Sequence, residues 1–162
     1  GHSFPTRRSS DLWRFLTGPL LHYDVAHFVL NGVLLLMLSG FVRAAAPRLG
    51  VAAFVLACVA AAFAQYSLGG RAFDNFGGIS GGVYAWFGLA AGRGDRLPPG
   101  VPLLLLGLAV VCIASAEVIS AHAATTAHGA GLLVGIGIAL VARTVEGGGS
   151  PEANRPIQVD RS

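Results

Sequence analysis

The sequence contains no lysine and few charged residues of any kind. Only 12% of its 162 residues are charged, about half of the roughly 25% that is usual in soluble domains. The eleven basic residues are all arginines. With 54% hydrophobic residues and a mean hydropathy of +0.66, the composition indicates an integral membrane protein surrounded by the lipid bilayer.

Cysteine is also scarce, and basic residues outnumber acidic residues only slightly. Cys58 and Cys112 both lie within apolar runs, so we interpret them as buried thiols rather than a disulfide or a metal site. The net charge of +3 fits the bias of basic residues toward cytoplasmic loops of membrane proteins. It therefore does not indicate a nucleic-acid partner.

Five apolar segments predict an all-α, polytopic bundle with five transmembrane helices. They cover residues 26–42, 50–68, 79–92, 101–121 and 127–143. A transmembrane helix needs about 20 residues, with a range of roughly 17–25. The third segment is short, which is explained if its N-terminus lies below the membrane surface and is reached by a loop buried in protein.

The flanking regions differ from the apolar core. Residues 1–12 are polar and basic, without an apolar run of signal-peptide length, and we interpret them as non-native sequence or a truncated leader. Residues 13–143 form the predicted membrane domain. Residues 144–162, which are polar and rich in Gly and Pro, are expected to be a disordered tail. A truncated start predicts that a first hydrophobic helix is missing.

The arginines predict the orientation of the bundle. Arg43 and Arg48 follow the first segment, Arg93 and Arg96 the third, and Arg143 the fifth. These connections lie on one side of a five-span bundle, and the basic bias places that side in the cytoplasm. The C-terminus is therefore expected to be cytoplasmic.

Ser80 follows a glycine pair at the start of the third segment. A serine hydroxyl becomes a nucleophile when a base takes its proton, and backbone N–H groups at a helix start can stabilise negative charge. Gly78 would allow the loop to enter the site, and Gly81 would allow close helix packing. The alternative is that Ser80 only caps a helix among small packing residues.

His128 begins the fifth segment and is the candidate base. A histidine in a membrane segment is costly without a partner, and orientation places it at the same outer end as Ser80. The spacing of Gly131 and Gly135 favours close helix approach, which would bring the two side chains together. Glu117 is too remote for us to assign it as a third member. The alternative is a packing histidine bonded to a carbonyl.

His27 and Asn31 are four residues apart and share one helix face. Both side chains can donate hydrogen bonds to an oxyanion, although interhelical hydrogen bonds without chemistry would also explain them. Tyr84 lies on the same helix face as Ser80 and could pack on the ring of His128 or act as an interface aromatic.

The remaining outer residues have structural interpretations. Trp13, Arg14 and His22 suit a membrane–water interface and are expected to hold the outer loop. A metal or haem site is the alternative, because four histidines fall toward this side: His22, His27, His122 and His128. The sequence has no His-Glu-x-x-His motif or cysteine pairing, so we expect neither a metal nor another cofactor.

Three motifs in this order resemble the rhomboid intramembrane serine proteases. They are WR-x7-H-x4-H-x3-N from Trp13 to Asn31, GxSGxxY from Gly78 to Tyr84, and AHxxGxxxG from Ala127 to Gly135. The resemblance covers residues 13–143. It implies a six-helix core, of which the five predicted spans are equivalent to helices 2–6.

The resemblance also implies a function. In rhomboids the residues that match Ser80 and His128 form the catalytic dyad, and those that match His27 and Asn31 contribute to the oxyanion hole. We therefore expect an intramembrane serine endopeptidase of a bacterial inner membrane, which cleaves transmembrane protein substrates near the outer surface. The small size and short loops also resemble rhombosortases, relatives that process C-terminal sorting tails.

Two other classes of function were weighed. A catalytically inactive rhomboid-like protein that binds transmembrane clients is expected to lack Ser80 or His128, and both are present. A transporter or channel is expected to place charges inside its spans, whereas only Glu117 does so here.

Overall fold

The computed structural model describes residues 13–22, 25–68, 77–119 and 124–147, and for Arg14 and residues 116–119 it describes the backbone alone. These ranges contain helices and no strand, which confirms the all-α prediction. In chain order the helices are α1 (Arg14–Thr17), α2 (Val25–Ala45), α3 (Gly50–Leu68), α4 (Ser80–Gly92), α5 (Val101–Ile119) and α6 (Thr125–Gly147). Short 3₁₀ turns cover Gly18–Leu20 and Gly94–Arg96.

The five predicted segments correspond to α2 through α6, with differences at their ends. The clearest correction concerns residues 144–147, which were assigned to the tail but continue α6 as far as Gly147. The physical reason is an ion pair: Glu146 accepts hydrogen bonds from Arg93 and Arg96. Residues 148–162 and 1–12 lie outside the described residues.

Three of the described helices, α2, α3 and α6, are long and apolar enough to cross a membrane by length and composition. The apolar part of α5 is shorter, at Val101–Ser115. The 13 residues of α4 span about 20 Å, which is less than the roughly 30 Å of a hydrocarbon core. Several spans are thus confirmed, and the count of five stays a prediction.

The short helix α4 is the centre of the bundle. Ten of its 13 residues are buried, and it packs against α2, α3, α5 and α6. Its environment is therefore protein rather than lipid, so its length need not match the bilayer.

Large apolar side chains lie mostly on the outside of this bundle, and small ones lie inside. Leucines and valines of the outer helices are exposed, among them Leu36, Val51, Leu103 and Leu104. The fully buried positions are largely alanines: Ala45, Ala53, Ala57, Ala61, Ala62, Ala85, Ala90, Ala109 and Ala139. Because lipid tails are as apolar as leucine, small residues that allow close backbone approach are what membrane helices bury.

The closest approach joins α4 to α6. A Cβ added at Gly131 would collide with the carbonyl oxygen of Gly81, and one at Gly135 would collide with that of Ala85. Gly88 meets the backbone of Leu132 in the same way. The two helices thus contact each other backbone to backbone over two turns.

Polar contacts stabilise the end of the bundle that lies opposite Ser80. The side chain of Arg93 is only 1% exposed, and it donates to Oε2 of Glu146 at 2.5 Å. Arg96 donates to the same oxygen at 2.7 Å. The indole of Trp86 donates to the Gly50 carbonyl at 2.8 Å. A buried guanidinium is costly unless it is paired, so Glu146 holds the last turn of α6 against the end of α4.

Gly135→Ala is expected to destabilise the protein by roughly 1–3 kcal/mol, because the added methyl group overpacks the α4–α6 contact. Thermal unfolding in detergent, followed by circular dichroism, measures this as a lower Tm. Gly137→Ala is the matched control, since a Cβ at Gly137 meets nothing within 4 Å. Equal Tm values for the two variants would contradict a backbone contact that limits stability.

Candidate active site

Ser80 is the first residue of α4, and a glycine turn brings the chain to it. Gly78 has φ +116°, a left-handed conformation that side chains disfavour. A Cβ at Gly78 would also lie 2.8 Å from Cε1 of His27. Gly78 therefore lets the loop turn into α4 and leaves room for the imidazole of His27. Ser80 itself is 5% exposed.

His128 lies in the first turn of α6, directly across from Ser80. Its Nε2 is 2.9 Å from Oγ of Ser80, within the range of a hydrogen bond between a nucleophile and its base. The ring stacks on Tyr84, with centroids 4.4 Å apart and an interplanar angle of 24°. Tyr84 therefore fixes the plane of the imidazole, while Ser80 fixes its direction.

Among the described residues, no third side chain joins the contact between Ser80 and His128. Nδ1 of His128 is buried and has no hydrogen-bond partner among the residues that the structure describes. In a Ser-His-Asp triad that nitrogen would donate to a carboxylate. The side chain of Glu117 is outside the described part of the chain.

Asn31 and His27 both lie near the N-terminal end of α2. Asn31 is 3% exposed, and its Nδ2 has no hydrogen-bond partner among the described residues. Buried polar groups are almost always hydrogen-bonded, so this amide is a donor available to a ligand. His27 lies one helical turn earlier, against Gly78.

The N-terminal segment 13–22 is attached to α2 and α3 through its aromatic and histidine rings. His22 packs on His27 and Phe28, with centroid distances of 5.5 and 5.1 Å. Phe15 packs edge-on against Tyr66 of α3 at 5.4 Å. The segment also meets the loop before Ser80, because the Gly78 amide donates to the Gly18 carbonyl at 3.3 Å.

Trp13 and Arg14 are the two other residues predicted for this loop. Trp13 is exposed, and its carbonyl accepts the amides of Leu16 and Thr17 at the start of α1. The side chain of Arg14 lies outside the described part of the structure. His22 contacts the candidate site through its ring pair with His27.

Gln65 is a residue that the sequence analysis missed. It is 2% exposed on α3, and its Oε1 accepts the backbone amide of Ala127 at 3.3 Å. This contact holds the first turn of α6 one residue before His128. The signal was present, since a lone glutamine in an alanine-rich membrane segment needs a polar partner.

The metal hypothesis is not supported by a ligand cluster in the described residues. No group of three or more His, Cys, Asp or Glu side chains converges there. His122 lies outside the residues that the structure describes.

Comparison with known proteins identifies the family. A model of the Rhomboid domain matches residues 9–144. The rhomboid protease GlpG of Photorhabdus laumondii is 32% identical over 136 residues, which cover 80% of this chain and 47% of that protein. GlpG of Pectobacterium atrosepticum is 31% identical over 141 residues, with 83% and 50% covered. GlpG of Yersinia pestis is 30% identical over 131 residues, with 77% and 46% covered.

The chain thus spans about half the length of these relatives. The region matched by the domain model nevertheless contains all of α2 to α5 and most of α6, with Ser80 and His128. The chain therefore belongs to the rhomboid family and is a multi-pass integral membrane protein.

Proposed function

We propose that this chain is an intramembrane serine endopeptidase, with Ser80 as nucleophile and His128 as base. The observation that carries the proposal is the 2.9 Å contact between Oγ of Ser80 and Nε2 of His128. The two side chains come from the N-terminal ends of two helices that meet backbone to backbone. The names of the relatives, which are rhomboid proteases, support the same activity.

The first half of the reaction forms an acyl-enzyme. Nε2 of His128 takes the proton of Ser80 as Oγ attacks the peptide carbonyl carbon, which gives a tetrahedral oxyanion. The carbon–nitrogen bond then breaks, and His128 returns the proton to the leaving amine. A neutral imidazole is required at the start, because only the neutral form has an acceptor nitrogen.

The second half restores the enzyme. His128 removes a proton from a water molecule, the resulting hydroxide attacks the ester carbon, and a second tetrahedral oxyanion forms. That intermediate collapses to a carboxylic acid, and His128 gives its proton back to Oγ of Ser80.

Donors for the oxyanion come from α2 and from the start of α4. His27 contacts Gly78, two residues before Ser80, and Asn31 lies one turn later on the same face of α2, with no hydrogen-bond partner for its Nδ2 among the described residues. Backbone amides in the first turn of α4 lack intrahelical acceptors. Donors held in place before the reaction stabilise developing charge without reorganisation, which is the role we assign to Asn31.

The substrate is a transmembrane protein segment cleaved near the outer surface. Ser80 and His128 lie at the end of the bundle opposite the arginine-rich connections. Because basic residues favour the cytoplasmic side, the site faces outward and the C-terminal end of α6 faces the cytoplasm of a bacterial cell. The outer segment that carries Trp13, Arg14 and His22 then covers the approach to the site.

Ser80→Ala and His128→Ala are each expected to abolish cleavage of a transmembrane reporter. The loss of a general base alone costs typically about 10²–10⁴ in rate. A fluorophosphonate probe should label the wild-type protein and neither variant. Ser39→Ala is the matched control, since Ser39 bonds to its own helix at the Leu36 carbonyl. Labelling that persists in Ser80→Ala would refute the assigned nucleophile.

Asn31→Ala is expected to lower kcat by about 10²–10³, the usual effect of removing one oxyanion donor. KM should change little, because the donor acts on the transition state rather than on bound substrate. Reporter cleavage at several substrate concentrations separates the two constants, and Tm reports folding. A variant with normal kcat would assign Asn31 to helix packing alone.

A further inference from the structure

An apolar groove lies on the face of the bundle between α6 and the turn before α3, far from Ser80. Its volume is about 660 Å³. Its walls are hydrocarbon for most of their length, from Leu49, Val134, Ile138, Val141 and Val145. None of these residues takes part in the proposed reaction.

The groove has the length of one leaflet. It runs along α6 from Val134 to Glu146, a distance of about 18 Å for twelve residues of helix. Half of a bilayer hydrocarbon core is about 15 Å. The groove therefore matches an extended hydrocarbon chain in the leaflet opposite the dyad.

One end of the groove is polar and carries excess positive charge. Arg48 lines that end, is exposed, and forms no ion pair with a residue that the structure describes. Glu146 also lines it, but this carboxylate is already paired with Arg93 and Arg96. Arg143 pairs with Asp95 at the same end of the bundle. Among the described residues, these three paired arginines and Arg48 therefore accompany two carboxylates there, and Arg48 is the arginine that lines the groove.

We propose that this groove binds one anionic phospholipid, with an acyl chain along α6 and its phosphate on Arg48. The hydrocarbon wall selects a chain, and the free arginine at the wall's polar end selects a negative headgroup. A soluble anion would match only the arginine, and a neutral lipid would match only the wall. The lipid proposal does not depend on the proposed protease activity, because no groove residue takes part in that reaction. Occupation of the groove is measured by lipid binding, not by cleavage.

The test uses native mass spectrometry of the purified chain with phosphatidylglycerol or phosphatidylcholine of identical acyl chains. Wild type should retain one phosphatidylglycerol and bind it more tightly than phosphatidylcholine. Gly137→Leu should lose this lipid without loss of Tm, because Gly137 lines the groove and a Cβ there meets nothing within 4 Å. Gly107→Leu is the control: its Cβ is equally unhindered, but Gly107 lies on α5.

The headgroup contact is tested by Arg48→Gln. Loss of one arginine should weaken phosphatidylglycerol roughly fivefold and leave phosphatidylcholine unchanged. Arg43→Gln is the control, because Arg43 is also exposed near this end of the bundle but does not line the groove. If both arginine variants weaken binding equally, the attraction is a general property of the basic surface and the proposal fails.

Three further outcomes would overturn the proposal. The first is equal retention of lipid in wild type and Gly137→Leu. If that variant does not fold, Val141→Phe narrows the same groove at an exposed position, and unchanged retention there has the same meaning. The second is a Tm increase with inorganic phosphate alone that equals the Tm increase with phosphatidylglycerol. The third is a dimer that dissociates in Gly137→Leu, which would make a second copy the occupant.

Discussion

The contact between Ser80 and His128 depends on glycines, which have no side chain, where α4 and α6 meet. Gly131 and Gly135 of α6 lie against the carbonyl groups of Gly81 and Ala85, so the helices are separated by little more than their own backbones. Ser80 and His128 have short and medium-length side chains, and only helices this close can bring them to hydrogen-bond distance. The hydrophobic effect does not drive helices together within a membrane. Van der Waals contact between the closely fitted backbones of α4 and α6 therefore stabilises the pair.

Much of this organisation was predictable from the sequence. Long apolar runs reveal helices because every backbone polar group in lipid must be bonded within its own segment; the prediction of 50–68 for α3 matched both ends. The spacing of Gly131 and Gly135 predicted the close helix pair, because small residues let membrane helices approach each other. Ser80 and His128 stand out as candidates because polar residues are rare in membrane spans.

What could not be predicted were contacts between residues distant in sequence. The polar composition after residue 143 predicts that Glu146 belongs to a disordered tail. Only the fold reveals that Arg93 is buried within reach of its carboxylate. A lone glutamine in α3 indicates that some polar partner exists, but nothing in the sequence identifies the amide of Ala127, 62 positions later, as that partner. The conformation of Gly78 was anticipated as unusual, but the need to accommodate the ring of His27 follows only from the packing of α2.

The ion pair of Glu146 has a mechanical consequence for the helix that carries His128. His128 and Glu146 are eighteen residues apart, or about 27 Å along α6, and each is attached to α4 or to the residues that follow it. With one contact at each end, α6 is held against both sliding along α4 and rotation about its own axis. Displacement of the peripheral helices would therefore leave the separation of Ser80 and His128 unchanged, so the reacting atoms would stay in register while other parts of the bundle move.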